Sequence, residues 1–589
     1  MPIDKSAAFE LADAATFEAF ANAYLRELDP GTWRSPRCVE WRVGEEGDVI
    51  RADVAYVSAV GPHRFGSVWL CRNGREPAAM EPFDAVSALA REAYRRHGGT
   101  ARTTGIRTLE RELMLRIALS ANAVTDNLAN APDGPPADDF IGAESSVVFG
   151  HTFHPTPKSV QGLSTWQREA YVPENRGGFR LTAFAASEAL VAEDTAGRIA
   201  ATAMMARIAG PHARTQLRHG ERLLLMHPLQ AEALTLDPDI AGLIEAGRLR
   251  PLGPAGPAFA ATSSLRTVWS EASPFMLKFS LPVRITNSMR INRMHELAAG
   301  VVLARYFRRT RTLDAVPRLG MLHDPAWATL VLPGRPESGF ETILRQNPFR
   351  GPRAKNVATI AALTGEGVAG RPSLLKRIVQ TYANAIGTPL PIAANAWFAA
   401  YLECALVPLV MLYDRTGIAV EAHQQNALLV FDRGRPERLV TRDNQGLYLA
   451  HSYADALAEI VPEAASVPDL VFDEAEVSRR FAYYLVVNQI FGVIARLGRD
   501  GLADEDDLLA RLRRRVDRLS RETSGAGRRF CRDLLDRPTI AAKANLAARL
   551  LDVDELGAGP TVPMYADMPN VLHAAAAHTN LSDHDAVRA

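Results

Sequence analysis

Cysteine is scarce: Cys38, Cys71, Cys404 and Cys531 are the only four in 589 residues. None are paired at metal-ligand spacing, and so few exclude a disulfide scaffold. Free thiols point to a reducing compartment, the cytoplasm. Net charge is also absent, with 67 Lys+Arg against 67 Asp+Glu. No overall field therefore draws in nucleic acid or an anionic membrane, although local basic clusters can still hold phosphates. The N-terminus has no basic region followed by an apolar one, so no secretory leader is expected. No long clean apolar run occurs either. The most apolar window, residues 396–413, contains Glu403 and Pro408, which predicts a buried helix too short and broken to span a bilayer. There is no GxxxxGK[ST] loop, no GxSxG elbow, no Ser-His-Asp arrangement, no internal repeat and no low-complexity tract. A formal GxGxxG at residues 365–370 is followed by Arg371-Pro372 and lacks an acidic ribose partner ~20 residues on, which argues against a dinucleotide fold.

What is present is ordinary globular composition, 47% hydrophobic and 23% charged. The length suits roughly two to four domains of ~150 residues. Breaks near residue 145, after the Pro/Asp/Gly loop at 131–139, and between Gly365 and Pro372 divide the chain into 1–145, 146–372 and 373–589. In the first segment, periodicity predicts a helix over 8–30, strands through 40–71 and helices over 81–130. The second has strands at 179–186, 222–227 and 276–286, then a helix over 289–307. Helices at 374–387, 394–412, 452–462, 473–497, 505–521 and 539–551 dominate the third. The fold class is α+β, with several domains.

The most informative residues are Glu421-Ala422-His423-Gln424-Gln425-Asn426, set between apolar runs at 405–412 and 427–431. A carboxylate, an imidazole and three amides are costly to bury without partners. Arg442-Asp443-Asn444 follows one short turn. Glu421, Asn426 and Asp443 brought together would form a hard-oxygen site for magnesium and phosphates. Upstream, Gly150-His151-Thr152-Phe153-His154-Pro155-Thr156-Pro157-Lys158-Ser159 packs two histidines, a lysine and hydroxyls into one loop, suited to phosphate. A zinc site there lacks further ligands nearby, and a plain structural loop is the other reading. Thr262-Ser263-Ser264-Leu265-Arg266-Thr267 is either an anion clamp or a helix cap with a solvated arginine. In 278–290, Lys278, Ser280 and Arg284 share strand parity opposite Phe279, Leu281, Val283 and Ile285, so one face is expected to pack and the other to carry cations. Thr286-Asn287-Ser288 is expected to cap a helix holding Arg290. His227-Pro228-Leu229-Gln230 reads as a turn after a buried strand.

Taken together, these motifs resemble the aerobactin-synthetase-like family of siderophore synthetases that work independently of nonribosomal peptide synthetases. The matching residues are G-H-x-x-H-P-x-x-K at 150–158, H-P-x-Q at 227–230, S-x-R-T at 264–267, K-x-S-L…I-T-N-x-x-R at 278–290, E-x-H-x-Q-N at 421–426 and Arg442-Asp443. Lys543-Ala-Asn-Leu546 is similar to the family's late lysine helix. The resemblance spans about residues 150–550, and the N-terminal region fits only by length and character. It implies a cupped-hand architecture with a thumb-like N-terminal part, a fingers-like ATP-binding centre and a palm-like C-terminal part. It also implies ATP-dependent adenylation of a carboxylate of citrate or a related dicarboxylate, releasing pyrophosphate. Condensation with an amine, amino alcohol or amino acid would follow.

By motif position, Ser264, Arg266, Thr267 and Lys278 would bind ATP phosphates. His151, His154 and Lys158 would close the nucleotide side. Arg290, His423 and Lys278 would act at the reacting groups, Gln425 would orient the substrate, and Glu421, Asn426 and Asp443 would hold Mg2+. A homodimer is also implied. Departures from the family pattern are Val160, Leu229 and Asn444, where it has Arg, Trp and an aromatic. Two other classes compete. A kinase-like phosphotransferase is suggested by the acid-to-Asn loop followed by a metal aspartate, but has no Gly-rich nucleotide loop. A siderophore binder or iron reductase would want a C-terminal cysteine cluster, and only Cys531 is there.

Overall fold

The computed structural model describes residues 3–98, 104–131, 139–151, 153–553 and 564–573. The helix Lys5–Glu27 starts at Asp4, whose carboxylate accepts from the amides of Ser6 and Ala7. Its Phe17, Phe20 and Tyr24 pack with Trp41 and Ile50 of a five-stranded antiparallel meander, beneath the helices Pro82–Gly98 and Thr104–Ala129. Two residues from the far end of the chain, Leu546 and Leu550, complete this core. The Glu27 carboxylate accepts from the amides of Leu546 and Ala547 at 2.7 and 3.0 Å, capping the helix Asn545–Leu550. Sequence periodicity treats 539–551 as one helix, but Thr539–Lys543 is a strand paired with Tyr565–Pro569. That strand delivers Lys543 to the lining of a cavity.

An eight-stranded antiparallel sheet dominates the middle of the chain. Phe275–Phe279 lies within it, pairing with Thr267–Trp269 on one side and Thr342–Gln346 on the other. The strand expected over 276–286 ends early. Lys278 and Ser280 are as buried as Phe279 and Leu281, because both sheet faces are covered. Arg284–Ile285 instead forms a small hairpin with Ser288–Met289, turning at Thr286-Asn287, with Thr286 at φ +50. The expected cap is therefore a β-turn, and the helix begins later, at Met294, where the Glu296 carboxylate accepts from the Arg293 amide at 2.9 Å. His227 is no simple turn residue: its Nδ1 accepts from the amide of Leu229 and opens the helix Pro228–Thr235.

The largest core gathers the last third of the chain. The apolar window forms an unbroken helix, Leu390–Thr416, with Pro408 inside it. This helix and Glu474–Arg499 are long and apolar enough to cross a membrane by length and composition, and both are mostly buried in the fold. Within the second, residues Ala482–Ile490 are wound as π-helix. Such wide turns re-aim side chains and recur at functional sites, and here they present Tyr483, Tyr484 and Asn488 to a cavity.

Candidate active site

Strand register brings the loops of the site together. Ala427 pairs with Thr441 across the hairpin Ala427–Asp432/Arg435–Thr441. The residues just beyond, Asn426 and Arg442, are therefore neighbours, and the Arg442 amide donates to the Asn426 carbonyl at 3.0 Å. The hairpin's own turn has Arg433 at φ +44 and Gly434 at φ +81, the doubly left-handed backbone of a two-residue turn. A Cβ on Gly434 would meet the Ile378 carbonyl at 2.5 Å, so only glycine fits. Val420 pairs with Leu447, which sets Gly446 beside Glu421, and the Glu421 amide donates to the Gly446 carbonyl at 3.0 Å. A Cβ on Gly446 would lie 2.2 Å from Glu421 Oε2.

These loops open on a cavity of about 490 Å3. Of the residues singled out by sequence, His151, His154, Lys158, Arg266, Arg290, Glu421, His423, Gln425, Asn426 and Asp443 line it. Lys278, Ser264 and Thr267 lie behind its wall. Lys278 Nζ donates to Asp443 Oδ1 at 2.6 Å. The Ser264 hydroxyl accepts from the Thr267 amide, holding the turn that presents Ser263 and Arg266. Lys158 is paired with Glu174. The Arg290 guanidinium donates to the Ile285 carbonyl at 3.2 Å, and so is fixed by its own hairpin.

Burial governs the charges. It pushes the Glu421 carboxyl up to about 7, against the pull of Lys543. It pushes His423 and His151 down to about 3, so both imidazoles are neutral at neutral pH. His423 Nδ1 accepts from the Gln425 amide at 3.2 Å, so its proton sits on Nε2, which faces Glu421 Oε1 at 4.0 Å. Burial opposes the Asp443 charge, yet Lys278, Arg345 and Arg266 hold this carboxyl far below the usual carboxylate range. Arg345 is itself clamped by Asp324 at 2.7 and 2.8 Å. Burial, with Arg266 adding to it, lowers Lys278 to about 8.

Glu421, Asn426 and Asp443 line the same cavity, and two carboxylates with an amide are donor types that magnesium takes, although Asp443 Oδ1 is already held by Lys278 and Arg345. Two carboxylates completed by substrate phosphates are a usual magnesium arrangement. A divalent cation would also offset the cost that burial places on ionised Glu421.

Sequence reasoning passed over Glu144, Tyr484, Asn488 and the Arg345–Asp324 pair, and it named Ser263 only as part of the Thr262–Thr267 run. Glu144 carries no local signal, since its partner Arg442 lies 298 positions later.

The chain aligns over 96% of its length, at 32% identity, with the spermidine-citrate ligase of Bacillus anthracis, covering 98% of that protein. The chain belongs to the IucA/IucC family of siderophore synthetases. The family's own model, described as the IucA / IucC family, matches residues 139–365. A rhizobactin siderophore biosynthesis protein of Rhizobium meliloti is 34% identical over 90% of the chain and 91% of its own length. Among solved structures, the ATP-bound aerobactin synthetase of a hypervirulent Klebsiella pneumoniae superposes with a TM-score of 0.86 at 28% identity, over 95% of this chain and 99% of that one. A petrobactin biosynthesis protein of Bacillus anthracis shares the fold, with a TM-score of 0.77 at 16% identity over 98% of this chain and 97% of that one. A second model, ferric iron reductase FhuF-like transporter, matches residues 395–558. The donor chemistry of an iron–sulfur centre does not fit there. Cys404 and Cys531 are the cysteines of that stretch, both are buried, and burial pushes their thiols up to about 11 and about 12.

Proposed function

We propose that this protein is an ATP-dependent, AMP-forming ligase. It would activate a carboxylate of citrate or a citrate-like dicarboxylate, then join it to an amine or hydroxyl in siderophore biosynthesis. One observation carries the reading. A single cavity gathers Arg266, Arg290, a neutral His423 and the oxygen donors Glu421, Asn426 and Asp443, in a chain similar from end to end to a spermidine-citrate ligase.

A carboxylate is a poor acyl donor until AMP makes it a good leaving group. Attack of the carboxylate on the α-phosphate of ATP builds negative charge at that phosphorus. Arg266 and Arg290 are fixed cations at the cavity wall, already held by backbone carbonyls and so in need of little reorganisation. His423 offers a neutral Nε2–H donor, and Gln425 an amide to orient the acid. Lys278 keeps Asp443 ionised from behind. Mg2+ held by Glu421, Asn426 and Asp443 would neutralise phosphate charge and make pyrophosphate a better leaving group. The buried Tyr448 and Tyr484 and the part-buried Tyr565 line the same cavity, with the Tyr484 ring 5.8 Å from the His423 ring. There an amine would lose its proton more readily and attack without a dedicated base. The kinase-like alternative predicts transfer of the terminal phosphate instead. A cytoplasmic homodimer completes the proposal, and the free state of all four cysteines supports the compartment.

Acid-dependent exchange of labelled pyrophosphate into ATP tests the reading, with citrate, 2-oxoglutarate and succinyl-amines supplied in turn. Citrate-stimulated exchange is expected. Absence of exchange with every acid would overturn adenylation.

A further inference from the structure

We infer that Glu144 is a positioning residue that locks the Thr262–Thr267 turn to the Glu421–Asn426 loop. The inference rests on the proposed ATP chemistry of this cavity. Glu144 ends the short helix Phe140–Glu144 and is fully buried. Its two oxygens accept from four donors. Arg442 Nη1 reaches Oε1 at 2.6 Å and Arg442 Nη2 reaches Oε2 at 3.3 Å. The amide and hydroxyl of Ser263 reach Oε2 at 2.8 and 2.6 Å. Arg442 Nε and Nη2 also donate to the Gln425 carbonyl, at 3.0 and 2.7 Å. Arg442 Nη2 also lies 3.3 Å from the Ser263 hydroxyl, which is 3.5 Å from Gln425 Nε2. One carboxylate thus fixes two loops that come from strands of different sheets.

Ser263, Arg266, His423 and Gln425 are displayed on those loops and line the cavity. Glu144 itself is absent from the lining, so it acts through Ser263 and Arg442. A buried arginine needs a carboxylate partner, but that need would be met wherever the pair lay. The added feature is that both ends of the pair grip backbone of the two site loops: the Ser263 amide and the Gln425 carbonyl. Loss of the carboxylate would free the turn from the hexad and widen the spacing between Arg266 and His423.

The test is the affinity of full-length protein for Mg-ATP by calorimetry, with citrate-dependent pyrophosphate release and thermal midpoint measured alongside. Glu144→Gln keeps the shape and removes the charge. The folded variant should bind ATP about tenfold more weakly, the scale of lost charge-assisted hydrogen bonds, with a matching fall in kcat. Glu144→Asp should recover only part. Ser263→Ala keeps the Glu144–Arg442 pair, so its thermal midpoint should stay within a few degrees of wild type while ATP binding still weakens. A purely structural role would lower the midpoint and leave the affinity of the folded fraction unchanged. ATP affinity and kcat within twofold of wild type in Glu144→Gln would overturn the inference. If that variant does not fold, wild-type affinity in Ser263→Ala would do the same. Wild-type protein that binds ATP but releases no pyrophosphate would sink the proposed adenylation, and the affinity comparison would still decide the role of Glu144.

Discussion

Replacing Gly446 by alanine perturbs the site through one atom. Gly446 lies outside the left-handed region, so alanine strains no backbone there. The new Cβ would sit 2.2 Å from Glu421 Oε2 and 2.9 Å from Glu421 Cβ. Ordinary contact begins near 3.4 Å, so the carboxylate must retreat by roughly 1 Å into the cavity it lines. Magnesium demands oxygens at about 2.0–2.1 Å in near-ideal geometry, and a shift of that size removes Glu421 as a ligand. A misplacement of about 1 Å can cost about a hundredfold in rate. The assay is pyrophosphate release at saturating ATP and citrate across a Mg2+ titration. Gly446→Ala should need far more Mg2+ and lose about a hundredfold in kcat/KM, with far-UV circular dichroism unchanged. Adding Glu421→Gly, which removes both the carboxylate and the Cβ that the new methyl would meet, should relieve the crowding without restoring activity. A Gly446→Ala enzyme with wild-type Mg2+ dependence would refute Glu421 as a metal ligand.

Three further expectations follow from the same geometry. Arg290→Ala should abolish pyrophosphate release while leaving the unfolding midpoint near wild type, because this guanidinium borders the cavity and is held by its own hairpin; retained release would remove it from the site. Lys278→Met breaks a buried pair whose partner, Asp443, is partly open to the cavity; urea unfolding should show a loss of about 3 kcal/mol, with loss of activity, and an unchanged midpoint would refute the pairing. His227 lies fully buried among Tyr171, Phe179 and Phe279, and burial lowers it to about 3. Its folded value is below the unfolded one, so its stability contribution is complete above pH ~6.5 and is lost as pH falls toward about 3. At pH 5 that loss is about 2 kcal/mol. His227→Asn, which retains an N-cap acceptor, should flatten the decline in stability between pH 7 and pH 5, and an equally steep decline would refute it.

The sequence shows the parts of the site whose chemistry is concentrated locally. The Glu421–Asn426 hexad, the His151–Lys158 loop and Arg266 each place several polar groups in a short stretch that apolar neighbours would otherwise exclude. Alternation likewise reveals the N-terminal meander and the helices packed on it, because one face of each is solvated. The reasoning fails where burial is two-sided. Lys278 and Ser280 look like a solvated face by parity, yet the sheet is covered on both sides and their partners, Asp443 and Glu341, are distant in sequence. The stretch 539–551 is rich in alanine and suits either helix or strand. Its strand is decided by pairing with Tyr565–Pro569. Glu144 is legible only in three dimensions, because its meaning lies in Arg442 and Ser263. The wide turns that aim Tyr484 and Asn488 leave no mark in residue type.

The central claim is that ATP is cleaved between its α- and β-phosphates by a carboxylate substrate. The most direct measurement incubates the protein with Mg2+, citrate, an amine panel and ATP labelled separately at the α- and γ-phosphates. The account predicts citrate-dependent formation of labelled AMP from the first and labelled pyrophosphate from the second. Labelled ADP from the first, with the γ-label on citrate or released as orthophosphate, would contradict it.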